Sequence, residues 1–151
     1  SFFNKNLPNI FKKLSLNTKI IFQTGTTDNL ESDKNIKYVE FIKNMSEVMS
    51  KAKFIICRAG ASTVAEVQSL GLPAIFIPLP NSIDNHQLKN AEIACLEGGG
   101  IILNEKEFCE ENFLKIIREF DGLNHEVLSK KMRKSIHLES ARKIANEIKQ
   151  Y

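Results

Sequence analysis

Residues 57–66 read Cys-Arg-Ala-Gly-Ala-Ser-Thr-Val-Ala-Glu and combine small residues with one carboxylate. They follow an apolar run at residues 53–57, which predicts a buried strand, and they open a helix predicted over residues 62–70. Small residues let backbone amides approach a ligand closely. The amino terminus of a helix adds unpaired N–H groups and a partial positive charge. The segment therefore suits a phosphate or a diphosphate.

Glu66 lies one turn into that predicted helix. A carboxylate so close to a phosphate would repel it, so its useful role would be to accept hydrogen bonds from the two hydroxyls of a ribose. The alternative is an ordinary strand-to-helix turn, capped by Ser62 or Thr63 and followed by an acidic first turn. The spacing alone does not decide between the two.

A second polar loop, at residues 78–87, follows the buried strand predicted over residues 73–78 and opens another helix. Its residues Asn85, His86 and Gln87 are neutral hydrogen-bonding groups that suit sugar hydroxyls. The alternative takes Asp84 as a simple helix N-cap and His86 as a partly exposed helix residue. The pattern by itself favours this alternative.

A third segment, Glu40-Phe41-Ile42, ends a predicted strand and could hold a flat base by apolar contact and amide hydrogen bonds. Plain core packing is the alternative that the pattern favours. The glycines at 98–100 precede a strand rather than a helix, so they indicate a C-cap and turn. His125 and His137 have no partner at metal-ligand spacing, so the sequence predicts no metal site.

The elements around these loops alternate between helix and strand. Continuous apolar strands indicate a sheet covered on both faces, and the alternation predicts an α/β fold with a doubly wound parallel sheet. Strands are predicted over residues 18–23, 36–42, 53–57, 73–78 and 101–103, and helices over 3–14, 62–70, 84–96, 107–119, 125–134 and 138–149. A further short helix, capped by Asn44 or Ser46, is predicted to run to about Lys51.

The composition agrees with one globular domain over residues 1–151. The chain is 42% hydrophobic and 26% charged, and its net charge of +3 is too mild to indicate a nucleic-acid surface. Cys57, Cys95 and Cys109 lie in apolar stretches without CxxC spacing, so buried free thiols and a reducing cytoplasm are expected. No apolar run approaches the roughly 20 residues that span a bilayer.

Five segments together closely resemble the undecaprenyldiphospho-muramoylpentapeptide N-acetylglucosaminyltransferase family, in order and with nearly constant spacing. They are Phe41-Ile42, residues 58–66 (Arg-Ala-Gly-Ala-Ser-Thr-Val-Ala-Glu), residues 71–74 (Gly-Leu-Pro-Ala), residues 84–87 (Asp-Asn-His-Gln) and Asn90-Ala91. The resemblance implies the Rossmann-like C-terminal half of a GT-B glycosyltransferase of the family 28 type. It also implies that the chain starts just after the family's first strand and Gly-Gly-Ser-x-Gly-Ala loop.

The resemblance further implies the ligand-contacting residues. Ile42 would meet uracil, residues 60–63 the diphosphate, Glu66 the ribose, and His86 with Gln87 the N-acetylglucosamine, while Arg58 would brace the loop. The full implied set is Ile42, Gly60, Ala61, Ser62, Thr63, Val64, Ala65, Glu66, His86 and Gln87, with Phe41, Arg58, Asp84 and Asn90 beside them.

The implied reaction is inverting transfer of N-acetylglucosamine from UDP-N-acetylglucosamine to a lipid-linked muramoyl-pentapeptide, without metal or cofactor. The general base and the acceptor site would lie in the N-terminal half, so residues 1–151 alone are expected to be inactive. The whole protein is expected to lie peripherally on the cytoplasmic face of the inner membrane. Two alternatives stay open: a stand-alone donor-binding subunit that needs a membrane partner, and a fragment of a UDP-N-acetylglucosamine 2-epimerase. The oligomeric state is not predicted.

Overall fold

The computed structural model describes residues 1–14, 19–25, 30–134 and 146–147. Apart from residues 146–147, the helix predicted over 138–149 lies outside this described part, as does His137. In chain order the elements are α1 (Phe2–Lys13), β1 (Ile20–Gln23), β2 (Ile36–Val39), α2 (Met45–Lys51), β3 (Ile55–Cys57), α3 (Ala61–Leu70), β4 (Ala74–Phe76), α4 (His86–Cys95), β5 (Gly100–Ile102), α5 (Glu110–Asp121) and α6 (His125–Arg133).

The chain divides into two compact units. The first comprises Ser1–Met45 and Cys109–Asp121, and the second comprises Ser46–Phe108 and Gly122–Tyr151. In the first unit β1 and β2 form a parallel pair, with Ile20 opposite Ile36. Its helices α1 and α5 contact each other. Within the described residues, its buried side chains are Leu7, Pro8, Ile10, Phe11, Leu14, Phe22, Ile36, Phe113, Ile117 and Phe120.

The second unit holds a three-stranded parallel sheet in the order β3-β4-β5. The central strand β4 is buried along its whole length, as expected for a strand with neighbours on both edges and helices on both faces. The hydrogen-bond ladder runs past the strands, since Ile77 N–H donates to the Cys57 carbonyl (2.8 Å) and Leu103 N–H donates to the Phe76 carbonyl (2.9 Å). The carboxyl ends of the three strands therefore lie at one edge.

Two glycines in left-handed conformation follow the helices that connect these strands. Gly71 ends α3 in the left-handed region (φ 63°), and its N–H is bonded to the Val67 and Gln68 carbonyls. The side chain of Arg133 fills the space that a Cβ at Gly71 would need. Gly98 is also left-handed (φ 75°) and Gly100 begins β5. Gly98 and Gly99 thus turn the chain, as predicted, but the predicted glycine C-cap is wrong, because Leu96 is the C-cap of α4 and Gly100 already belongs to β5.

The α/β class and the parallel strands are confirmed, while three local expectations are wrong. The strand predicted over 36–42 ends at Val39, so the base-binding candidates lie in the loop that follows. The helix predicted over 84–96 begins at His86, because Asp84 and Asn85 are left-handed. All three thiols are free, but Cys109 is exposed rather than buried, and Cys57 and Cys95 are only partly buried. Among the described residues, no helix is long and apolar enough to cross a membrane.

Candidate functional site

The candidate phosphate-binding element is the amino terminus of α3. Gly60 is the N-cap in extended conformation (φ −64°, ψ 148°), and within the described residues no side chain caps the helix. The first helical bond joins Val64 N–H to the Gly60 carbonyl (2.9 Å). Ser62 and Thr63 lie inside the helix, so their interpretation as caps is wrong. The N–H groups of the first turn have no intrahelical acceptors and remain available to an anion.

The outer face of α3 carries the carboxylate. Ser62 and Glu66, which are four residues apart, are both exposed, while Val64 is 3% exposed and packs into the core. The first turn contains no acidic residue, so the alternative of an acidic first turn is wrong as well. No carboxylate in that turn therefore neutralises the partial positive charge of the helix end. Glu66 stands one turn further along, where it can accept bonds from a neutral diol.

The loop between β4 and α4 has a different construction. Asn81, Asp84 and Asn85 are all left-handed, with φ between 52° and 58°. Asp84 is therefore not the N-cap of α4, a position that Asn85 takes without a side-chain bond within the described residues. His86 is exposed, and its Nδ1 lies 2.6 Å from the Ile83 carbonyl oxygen.

Gln87 and Asn90, on the first turns of α4, hold backbone groups of two loops. The Gln87 Oε1 accepts from Leu79 N–H (3.0 Å), within its own loop. The Asn90 Nδ2 donates to the carbonyl of the fully buried Ala59 (3.1 Å), in the loop before α3. Asn90 thus contacts protein rather than solvent, and it links α4 to the turn that precedes the α3 amides.

Arg58 also faces protein. Its Nη1 donates to the carbonyls of Ile77 (3.0 Å) and Pro78 (3.2 Å), and its Nη2 forms an ion pair with Glu105. These contacts amount to bracing, the role that the family resemblance implies. Glu105 is not among the residues predicted from the sequence. Its only sequence signal is an acidic residue shortly after a predicted strand, and the partner is visible only once the strand order is known.

The base-binding candidates lie in the first unit. Phe41 is 71% exposed, so the alternative of plain core packing is wrong for it. Ile42 is partly buried, and its N–H donates to the side-chain Oε1 of Gln23 (3.0 Å). A carboxamide oxygen is chemically close to a pyrimidine carbonyl. The Ile42 N–H is thus already occupied by a group of the kind that a base would offer.

Two thiols in the second unit are unreactive at neutral pH. Burial raises the pKa of the Cys57 thiol to about 12, with a further contribution from Cys95, and burial raises the pKa of Cys95 to about 11. Both groups therefore stay protonated at neutral pH. Because the thiolate is the reactive form of cysteine, neither residue is a nucleophile there.

Comparisons with known proteins identify the family of the chain. The model of the glycosyltransferase family 28 C-terminal domain matches residues 1–148. A UDP-N-acetylglucosamine–N-acetylmuramyl-(pentapeptide) pyrophosphoryl-undecaprenol N-acetylglucosamine transferase from Wigglesworthia glossinidia brevipalpis is 33% identical over 98% of the chain and 44% of its own length. The protein of the same name from Francisella tularensis is 35% identical, over 97% of the chain and 43% of its own length.

Among solved structures, MurG of Acinetobacter baumannii matches with a TM-score of 0.76 and 30% sequence identity. The match covers 88% of the chain and 40% of that protein. The chain thus spans less than half the length of these relatives. From the family model and the shared fold, the chain belongs to the family of glycosyltransferase family 28 C-terminal domains.

Proposed function

We propose that residues 1–151 form the donor-binding half of an inverting N-acetylglucosaminyltransferase. The whole protein would move N-acetylglucosamine from UDP-N-acetylglucosamine to a lipid-linked muramoyl-pentapeptide during peptidoglycan synthesis. Relatives whose names state this activity match nearly the whole chain, which supports the proposal. The family membership gives the epimerase alternative no support.

The amino terminus of α3 is the observation on which the proposal chiefly depends. It combines open amides, a first turn without acidic residues and an exposed Glu66 one turn further along the same helix. An anion accepts bonds from such amides, and the helix dipole stabilises its charge. A diphosphate followed by a ribose fits both features, whereas a neutral ligand would use only the second.

The remaining contacts follow from the implied roles of the family. Ile42 would meet uracil, and residues 60–63 would meet the diphosphate. His86 and Gln87 would contact N-acetylglucosamine from the exposed start of α4. Val64 supports the site from the core, and Ala65 lies beside Glu66 on the exposed face.

In the reaction this half would bind the donor and stabilise the departing UDP. Negative charge grows on the diphosphate as the anomeric bond breaks, and oriented amides that are already in place stabilise that charge at little reorganisation cost. The acceptor, the general base and the association with the cytoplasmic face of the inner membrane would belong to the N-terminal half. Residues 1–151 alone would therefore bind the donor without transferring the sugar.

Calorimetric titration of the chain with UDP-N-acetylglucosamine, UDP-glucose and UDP tests the proposal. Glu66→Ala should weaken the binding of all three ligands about tenfold, or about 1.4 kcal/mol, because each contains the ribose. Glu92→Ala removes an exposed carboxylate from α4 and is the matched control, with unchanged affinity expected. Equal affinities for Glu66→Ala and the unsubstituted chain would reject the ribose contact. No uridine-ligand binding by the folded chain would reject the proposal.

A further inference from the structure

One guanidinium joins the loops that leave the three strands of the second unit. Arg58 directly follows β3, its two carbonyl acceptors, Ile77 and Pro78, directly follow β4, and its ion-pair partner Glu105 lies shortly after β5. In a parallel sheet these loops share one edge, which is where ligands bind. The Arg58 contacts therefore lie at the edge that also bears the α3 amides.

The Arg58–Glu105 pair is largely shielded from water. The side chains are 26% and 16% exposed, respectively. The guanidinium is planar and carries five donors in a rigid fork, so a carboxylate that fixes one arm also orients the other. Here the other arm contacts the carbonyls at the end of β4. Without Glu105, the fork would lose the acceptor that sets its plane.

Arg58 is two residues before Gly60, the N-cap of α3. Between them, Ala59 is fixed through its carbonyl by Asn90. The path of this turn decides where the first amides of α3 point. Since the Nη atoms of Arg58 bond backbone carbonyls and a carboxylate, the fork braces the turn rather than facing a diphosphate.

We infer that Glu105 is a positioning residue for the diphosphate site. It orients Arg58, which holds the β3 and β4 exits together and thereby fixes the direction of the α3 amides. The inference rests on the proposed function in that it takes the diphosphate as the ligand of those amides. Glu105 itself would not touch the donor.

Glu105→Gln preserves the shape of the side chain and removes its charge. It should lower the affinity for UDP about fivefold, since a charged hydrogen bond becomes a neutral one. Uridine, which lacks phosphate, should bind as before in ligand-observed NMR. Glu110→Gln breaks the ion pair with Lys13 in the first unit and is the matched control, with unchanged UDP affinity expected.

A double-mutant cycle with Arg58→Ala separates positioning from direct contact. If Glu105 acts through Arg58, then Glu105→Gln has no further effect on UDP affinity once Arg58 is removed. Arg58→Lys, which keeps the charge and loses the fork, should resemble Arg58→Ala. Unchanged or tighter UDP binding by Glu105→Gln, or additive losses in the cycle, would overturn the inference.

Hydrogen exchange of the ligand-free chain tests the same bracing without any donor. Glu105→Gln should speed amide exchange in residues 58–64 and 77–82 and leave α1 unchanged. If Glu105→Gln and the unsubstituted chain show the same exchange rates in both loops, the inference is overturned even if UDP binds. Failure of the unsubstituted chain to bind UDP would instead reject the proposed function, and the exchange result would still decide the role of Glu105.

Discussion

The two helices that open after β3 and β4 begin in different ways. The chain reaches α3 through a short extended turn of small residues, with Gly60 at negative φ. It reaches α4 through a longer loop with three left-handed residues, Asn81, Asp84 and Asn85, and a short 3₁₀ segment, Ile83–Asn85. Within the described residues, neither N-cap residue makes a side-chain bond, but at the α4 start Gln87 N–H donates to the Ser82 hydroxyl (3.4 Å).

The difference lies in what each start presents to a ligand. The α3 start presents backbone amides, which attract any phosphate regardless of what is attached to it. The α4 start presents the side chain of His86, and a contact from such a side chain depends on the identity of the ligand. We therefore expect the first start to provide most of the affinity and the second to discriminate among sugars.

The largest effect is expected from a new carboxylate at the α3 start. Ser62→Asp places a negative charge in the first turn, where the helix dipole favours it, so the free energy of unfolding should rise by about 0.3–1 kcal/mol. The same charge should repel the diphosphate and weaken UDP binding at least about tenfold. Thermal unfolding and calorimetric titration measure the two opposite changes.

His86→Asp is the matched control, because it adds one carboxylate at the α4 start, also in a first turn. Its helix should gain stability by a similar amount, while UDP, which carries no sugar, should bind almost as before. Equal weakening of UDP binding by Ser62→Asp and His86→Asp would contradict the proposed difference between the two helix starts. In that case the α3 amides are not the specific diphosphate contact.

A smaller effect is expected from the sugar-facing side chain. His86→Ala should leave UDP affinity unchanged and weaken UDP-N-acetylglucosamine a few-fold, as expected for one hydrogen bond of about 1 kcal/mol. Lys89→Ala, also exposed on α4, should change neither affinity. Competition titrations with UDP and UDP-N-acetylglucosamine measure the ratio of the two affinities for each variant. Equal losses for both ligands would place His86 away from the sugar.

The smallest effect concerns the backbone of the β4–α4 loop. Asp84 has φ 52° and ψ 22°, a region where a side chain is strained, so Asp84→Gly should raise the free energy of unfolding by about 0.5 kcal/mol. Asn104→Gly, at negative φ (−83°), should lower it by a similar amount, since glycine adds freedom to the unfolded chain. Denaturant titration measures the free energy of unfolding of both variants. Equal destabilisation would show that the left-handed loop stores no strain.

Much of the fold could be predicted because it rests on local patterns. Continuous apolar runs indicated β3 and β4, and the small residues before α3 indicated a tight turn. The ends of elements were less predictable. The strand over 36–42 was too long because Phe41 and Ile42 are apolar but lie beyond the pairing with β1. The register ends at Val39, and a further bond from Gly25 N–H reaches the Glu40 carbonyl. The start of α4 was predicted at the wrong residue. Aspartate is a common N-cap residue, but Asp84 adopts a left-handed conformation.

The sequence by itself determined the α/β class, the turn at Gly98 and Gly99 and the chemical character of the α3 start, because each depends on residues that are neighbours in the chain. Tertiary structure alone decided that the fork of Arg58 reaches the carbonyls after β4 and the carboxylate of Glu105, which is 47 residues away. It also decided that Asn90 fixes Ala59. These contacts depend on which strands lie side by side, and strand order arises from packing of the whole sheet rather than from any local pattern.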